Sequence, residues 1–174
     1  IVLNFMQRMS GIATMTRKHV DVLEGLETKL LDTRKTTPWI RQFEKWAVRI
    51  GGAVNHRCGL YDMVMIKDNH HDYAGGIEPA ILKVEDYLNR KGLSLKVEIE
   101  TRNLDEVREV LRVGKVDRIM LDNMSPAEMR EAVELIGDRY ETEGSGNITL
   151  ENLREKAETG VDYISMGALP HSVR

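Results

Sequence analysis

Short apolar runs alternate with helix-period stretches along most of this chain. The opening positions Val2, Phe5, Met6, Met9, Ile12, Ala13, Thr16, Val20 and Leu23 recur at helical spacing, so the text opens within an amphipathic helix. Beyond it, runs with strand character lie near Leu30 to Thr33, Ala53 to Asn55, Met63 to Lys67, Lys96 to Glu100, Arg118 to Asp122, Tyr140 to Ser145 and Tyr163 to Gly167. Helices are predicted between them. One covers Pro38 to Ile50, with Thr37 as N-cap and Pro38 at the first helical position. Others cover Glu78 to Arg90, stopped by Gly92, and Leu104 to Arg112. A further helix opens at Ser125-Pro126-Ala127-Glu128, which has capping-box spacing, and the last runs from after Thr149 to near Gly160.

Repeated strand–helix units imply parallel strands joined by right-handed crossovers. No low-complexity linker interrupts them, so residues 1–174 read as one domain. The sheet is either open and doubly wound or closed into a barrel. No GxGxxG fingerprint follows a strand, which weakens the first alternative. Strand parity favours the second. In Lys96-Val97-Glu98-Ile99-Glu100 the apolar Val97 and Ile99 share one face and the two acids share the other. A strand covered by helices on both faces should be apolar on both, whereas a barrel strand can aim acids at the lumen and end on one at the carboxyl-terminal mouth. Arg118 to Asp122 and Met63 to Lys67 repeat the pattern. A full eightfold barrel needs about 250 residues. The expectation is therefore an incomplete (β/α) barrel with about seven parallel strands.

Composition narrows the class. Apolar residues at 41% and charged residues at 30% suit a globular domain, and 174 residues can bury a real core. The formal charge of -3 argues against general nucleic-acid binding. No apolar run approaches the roughly 20 residues of a membrane span. The single Cys58 excludes an internal disulfide framework and suits a reducing compartment, from which a cytoplasmic location is expected. The chain starts at Ile1 in mid-helix, which leads us to expect further chain before it.

The chemistry-bearing residues gather at predicted strand ends. Arg34 and Lys35 follow the first strand, His56 and Arg57 the second, and Lys67 ends the third. These cations form either a solvated rim or a site for a ligand with several carboxylates or phosphates, which guanidinium forks bind bidentately. Glu100 and Asp122 end the next two strands; they are either ordinary strand-end acids or a hard-oxygen pair suited to Mg²⁺. Ser145-Gly146-Asn147 and Gly167 to His171 occupy the last two loops, where barrels commonly seat phosphate, though plain turns would look the same. His70 and His71 read as loop histidines without a role, and Cys58 lacks a thiolate-stabilising context.

These stretches also resemble the quinolinate phosphoribosyltransferase family. The resemblance runs from Leu3-Asn4-Phe5 and Ser10 to Thr14, through Asp32 to Pro38, Gly51-Gly52, Asn55-His56-Arg57, Gly59-Leu60, Ile66 to His70, Val97 to Glu100, Leu121-Asp122-Asn123, Ser145-Gly146 and Ile148-Thr149, to Gly167-Ala168-Leu169 and His171-Ser172. It implies a barrel with fewer than eight strands and a preceding α/β domain that this text lacks. It also implies a transferase joining quinolinate to phosphoribosyl pyrophosphate for NAD synthesis, in a homodimer with shared sites. By that resemblance Arg34, Lys35, His56, Arg57 and Lys67 bind the quinolinate carboxylates and pyrophosphate, with Lys35, Glu100 and Asp122 the catalytic set. Glu100 and Asp122 hold ribose hydroxyls and Mg²⁺, and Ser145, Gly146, Asn147, Gly167 and His171 seat the 5-phosphate. Three positions depart from the family pattern: Trp39 and Asn147 stand where glycine is commoner, and Pro170 where threonine is. A molybdenum-associated relative, a nicotinate-using enzyme and a non-catalytic phosphosugar-binding barrel remain as alternatives.

Overall fold

The computed structural model describes residues 1–172; Val173 and Arg174, the end of the expected domain, lie outside them. Six parallel strands form one sheet: β1 (Lys29–Leu31), β2 (Val64–Ile66), β3 (Val97–Thr101), β4 (Arg118–Asp122), β5 (Glu141–Ser145) and β6 (Tyr163–Ser165). Their spatial order is β1-β6-β5-β4-β3-β2, with every pairing parallel. The helices are α1 (Val2–Val22), α2 (Arg41–Ile50), α3 (Asp68–Ala74), α4 (Ile77–Lys91), α5 (Leu104–Val113), α6 (Pro126–Ile136), α7 (Leu153–Ala157) and α8 (Ala168–His171). The expected seventh strand, Ala53 to Asn55, is reduced to a single bridge between Val54 and Leu31. Asn55 and His56 are drawn instead into side-chain bonds with Asp32, which end the backbone ladder.

Register gives the sheet two unlike faces. Ile66, Ile99 and Ile119 align across β2, β3 and β4, and Val64 aligns with Val97. Together with Leu30, Leu121 and Ile164 they join the apolar core under the helices. Fully burying each such side chain contributes about 1.5–3 kcal/mol. The opposite face carries Glu98, Arg118 and Glu141 in one row, and Glu100, Met120 and Glu143 in the next. That face is not solvated: Glu98 and Glu143 are 0% exposed and Arg118 7%. Only a sheet curled about this face can cover it without a second layer. The curl is visible in the chain itself. His56, beyond the β1 edge, reaches Glu98 on β3, next to the opposite edge, at 3.0 Å.

Helix ends show where local sequence decides. Ser125 and Glu128 form the expected capping box of α6, and Gly92 closes α4 in the left-handed conformation. The helix expected from Pro38 starts only at Arg41. Thr37 does not cap it; its N–H and hydroxyl both donate to Glu44 at 2.8 Å, and Trp39 sits at φ 70. Helix α3 was not anticipated, because the seven residues Asp68 to Ala74 are too short and polar to show a period; His70 and His71 therefore lie on a helix, not a loop. Gly51 lets α1 close onto the end of α2, since a Cβ there would fall 2.5 Å from the Thr16 Cβ.

Trp39 is fully exposed at that left-handed backbone. Such a conformation costs an ordinary residue roughly 1–2 kcal/mol and glycine little. Trp39→Gly should stabilise the protein by about 0.5–1 kcal/mol in denaturant unfolding, while Trp39→Ala should bring no such gain. Equal stability of the two variants would show that the turn carries no strain.

Candidate active site

Because all strands run parallel, the residues after their carboxyl ends share one edge of the sheet. The floor beneath that edge is a buried polar cluster. The His56 Nε2 lies 3.0 Å from Glu98 and 3.3 Å from Glu143, and Arg118 donates to Glu143 at 3.0 Å. Arg118 also stacks over the Tyr163 ring at 4.0 Å. As a carboxylate Glu98 would have neither oxygen hydrogen-bonded, although it is fully buried. Burial, then the neighbouring Glu143, push its pKa up to about 7. For Glu143 burial is outweighed by His56, so its carboxylate is held below the ordinary range. Two acids side by side in one dry space share their protons unequally.

The ring of His56 fixes where the extra proton sits. Burial opposes charge on it, but the two acids prevail and push its pKa up to about 9. Its Nδ1 accepts the Arg57 backbone N–H at 2.7 Å. The ring hydrogen that faces the two acids therefore stands on Nε2, and of the two acids Glu98 is the one that takes up a proton, leaving Glu143 opposite Arg118. The ligand atoms of His56, Glu98 and Glu143 lie within 4.8 Å of one another, as a metal would require. With its hydrogen on Nε2, however, the ring offers no lone pair there, and the cluster is a proton-holding floor. His56 thus sits lower than a free rim cation, with a side chain only 5% exposed.

Above this floor the expected residues fall into connected groups. Asp32, fully buried, accepts from Lys45 at 2.5 Å, Asn55 at 2.7 Å and the His56 N–H at 2.8 Å, and so pins the segment carrying His56 and Arg57 to the end of β1. Arg57 donates to the Met63 carbonyl at 3.1 Å. Burial, then repulsion from nearby Arg34, lower its pKa. Among the described residues the buried Nε of Arg34 has no hydrogen-bond partner. Two guanidiniums that repel each other, one with an unsatisfied buried donor, have the chemistry that suits anionic oxygens.

Glu100, at the end of β3, is paired with Lys67 at 3.3 Å. Burial raises its pKa, Lys67 opposes that, and Asp122 reinforces it. The two acids are thus electrostatic neighbours on adjacent strands. Asp122 aligns with Ser145 in the β4–β5 register and accepts from the Asn123 side chain at 2.6 Å. Asn123 turns the next loop: its N–H donates to the Ser145 carbonyl at 2.9 Å and its Oδ1 accepts from Asn147 at 2.9 Å. Gly146 is required at this crossing, with φ +84 and a Cβ position 2.2 Å from the Asn123 Oδ1. Asn147, at φ 51, uses the tolerance of asparagine for left-handed backbone. At the last strand, a Cβ on Gly167 would lie 3.2 Å from Lys35 and 3.3 Å from His171, so these three residues converge. Pro170 offers its carbonyl to Arg8 at 2.7 Å.

The family profile described as the quinolinate phosphoribosyl transferase C-terminal domain matches residues 12–174. The chain belongs to the quinolinate phosphoribosyltransferase family. It is 51% identical over 188 residues to the Nicotiana glauca quinolinate phosphoribosyltransferase [decarboxylating] 2, mitochondrial, covering all of this chain and 53% of that one. It is 52% identical to the chloroplastic nicotinate-nucleotide pyrophosphorylase [carboxylating] of Arabidopsis thaliana, with the same coverage. Among solved structures, nicotinate-nucleotide pyrophosphorylase from Ehrlichia chaffeensis superposes with a TM-score of 0.92 at 42% identity, over 99% of this chain and 61% of that one. The chain therefore spans about half the length of the curated relatives it matches. The plant names also overturn the cytoplasmic expectation. A cysteine count reads redox conditions and cannot name a compartment.

Glu98 supplies a test of the floor. Its folded-state pKa of about 7 lies above the ordinary 4.5, so the folded protein binds the extra proton, and stability falls as pH rises across that interval. Glu98→Gln has no proton to lose. Its stability relative to the parent should rise between about pH 5 and pH 8, measured by denaturant unfolding without divalent cation. A difference that stays flat across this range would show that Glu98 is ionised throughout.

Proposed function

We propose that this chain supplies the reaction centre of a quinolinate phosphoribosyltransferase, which joins quinolinate to phosphoribosyl pyrophosphate and releases pyrophosphate and carbon dioxide to give nicotinate mononucleotide for NAD synthesis. In this reading residues 1–174 are one domain, and the curled sheet is an incomplete (β/α) barrel whose mouth is the rim just described. The observation that carries the proposal is the Arg34–Arg57 pair, crowded and incompletely satisfied, beside the Glu100–Asp122 acid pair. A dicarboxylate offers one carboxylate to each guanidinium, which favours quinolinate over a nicotinate-using relative.

Each residue then has a chemical task. Arg34, Arg57, Lys35 and Lys67 hold the quinolinate carboxylates and the pyrophosphate, with His56 supporting Arg57 from below. Loss of pyrophosphate leaves a ribosyl centre with oxocarbenium character, which the carboxylates of Glu100 and Asp122 stabilise electrostatically. The clamped ring nitrogen attacks that centre. The nitrogen becomes cationic and electrostatically stabilises the carbanion left when the adjacent carboxylate departs as carbon dioxide, and a proton from water then completes the C–H bond of the product. Glu100 and Asp122 form a hard-oxygen pair that fits Mg²⁺, which when bound would neutralise pyrophosphate charge. Ser145, Gly146, Asn147, Gly167 and His171 receive the 5-phosphate.

The relatives' remaining length bears on assembly. Val2, Leu3, Phe5 and Met6 on α1 and Trp46 and Ile50 on α2 leave an exposed apolar surface, with Phe5 edge-on to Phe43 at 5.1 Å. We read this surface as covered in a homodimer whose subunits complete each other's sites.

Two variants test the assignment by calorimetric titration of the full protein. Removing one side of a buried charge contact commonly costs about 2–5 kcal/mol, so Arg57→Ala should weaken quinolinate binding well over tenfold and barely change phosphoribosyl pyrophosphate binding. Asp122→Ala should do the reverse, and only in the presence of Mg²⁺. Equal losses of both ligands in the arginine variant would make Arg57 structural, and an unaltered Mg²⁺ dependence would remove Asp122 from the metal.

A further inference from the structure

One buried cation has no place in the scheme above. Lys156, on the short helix α7, is 8% exposed, yet among the described residues it belongs to no close ion pair. Its ammonium donates to the Gly146 carbonyl at 3.0 Å, and Asp122 is the acid that most supports its charge. Its ammonium therefore lies against the loop after β5, within electrostatic reach of the acid that ends β4.

The bond to Gly146 sets the direction of a peptide plane. In a trans peptide the carbonyl and the following N–H point opposite ways, and no peptide bond here is cis. With the Gly146 carbonyl held inward on Lys156, the Asn147 N–H must point outward, to the side where Asn147 is exposed. Among the described residues neither the Gly146 N–H nor the Asn147 N–H has a hydrogen-bond partner. Outward, unpaired N–H groups above a buried positive charge are what an anionic oxygen needs. The left-handed backbone of both residues would otherwise be free to turn that plane over, since asparagine and glycine resist it least.

We propose that Lys156 is a positioning residue for phosphate recognition: it locks the Gly146–Asn147 peptide with its N–H outward and lends positive potential to the loop. The lysine does not touch the substrate in this role; it acts through the backbone. The inference rests on the phosphoribosyl reading of the loop, and the probe is chosen so that the two can fail separately. Ribose 5-phosphate carries the 5-phosphate without a leaving pyrophosphate, and quinolinate carries no phosphate.

In the full protein, Lys156→Met should weaken ribose 5-phosphate binding at least about tenfold in calorimetric titration, as expected for a lost hydrogen bond to a charged group. Quinolinate affinity should stay within about twofold, and Lys156→Arg, which keeps charge and donor, should recover most of the phosphate affinity. A methionine variant that binds ribose 5-phosphate like the parent overturns the role of Lys156 while leaving the functional reading intact. Equal loss of both ligands overturns it as well, in favour of a general structural role. A parent that binds no ribose 5-phosphate overturns the functional reading and this inference together. A further readout needs no stable variant: with asparagine-selective nitrogen labelling, the Asn147 amide resonance of the parent should shift on adding ribose 5-phosphate and not on adding quinolinate. Absence of that shift overturns the proposal.

Discussion

The burial of two acids on one face of the sheet is the constraint on which the rest of this structure depends. Glu98 and Glu143 have no access to water. Removing a carboxylate from water costs several kcal/mol unless it is neutralised or paired. Each neighbour answers that cost in its own way. Arg118 bonds Glu143 and is steadied by the Tyr163 ring. His56 is brought from beyond the β1 edge to stand between the acids, and a proton remains on Glu98. The cluster can form only if the sheet curls far enough for His56 to reach β3. The polar floor and the shape of the sheet are therefore one problem with one solution. Deleting a single member leaves a buried partner unmatched, which is far costlier than replacing the whole set with apolar side chains.

Strand parity carries the same face from structure to chemistry. Residues two apart on a strand share a side, so Glu98 at the floor implies Glu100 above it, Met120 implies Asp122, and Glu143 implies Ser145. One step higher, Asp122 and Ser145 are half-buried at the strand ends, while Glu100 is 7% exposed. A single alternation thus supplies a dry layer and, above it, a layer at the strand ends. The contrast in environment follows from a rise of about 7 Å along the strand.

Much of this was legible in the sequence. Period-two acids in Val97 to Glu100 gave the inward face, and the strand-end positions of Arg34, Arg57, Lys67, Glu100 and Asp122 placed them on one rim. What stayed hidden depended on contacts distant in the chain or on single backbone angles. His56 meets Glu98, 42 positions further along the chain, which no local pattern encodes. The second predicted strand gave way because Asp32 takes the polar groups of Asn55 and His56. Proline at position 38 suggested a helix start, but the left-handed Trp39 and the capture of Thr37 by Glu44 delayed it to Arg41. Lys156 has no sequence signal of its own; only the short α7 turns it under the Gly146 loop.

Arg57 joins the two layers. Its backbone N–H holds the His56 ring in the tautomer that the floor requires, while its guanidinium crowds Arg34 at the rim. An anion that draws the guanidinium into a new position can do so without disturbing the floor only if the backbone stays still. The ties from Asp32 to the His56 N–H and from Lys45 to the His56 carbonyl supply that stillness. The repulsion between Arg34 and Arg57 is therefore not relaxed by moving either main chain. It persists until negative charge arrives, so that under the proposed function part of the attraction for a dicarboxylate would be built in before binding rather than created by it.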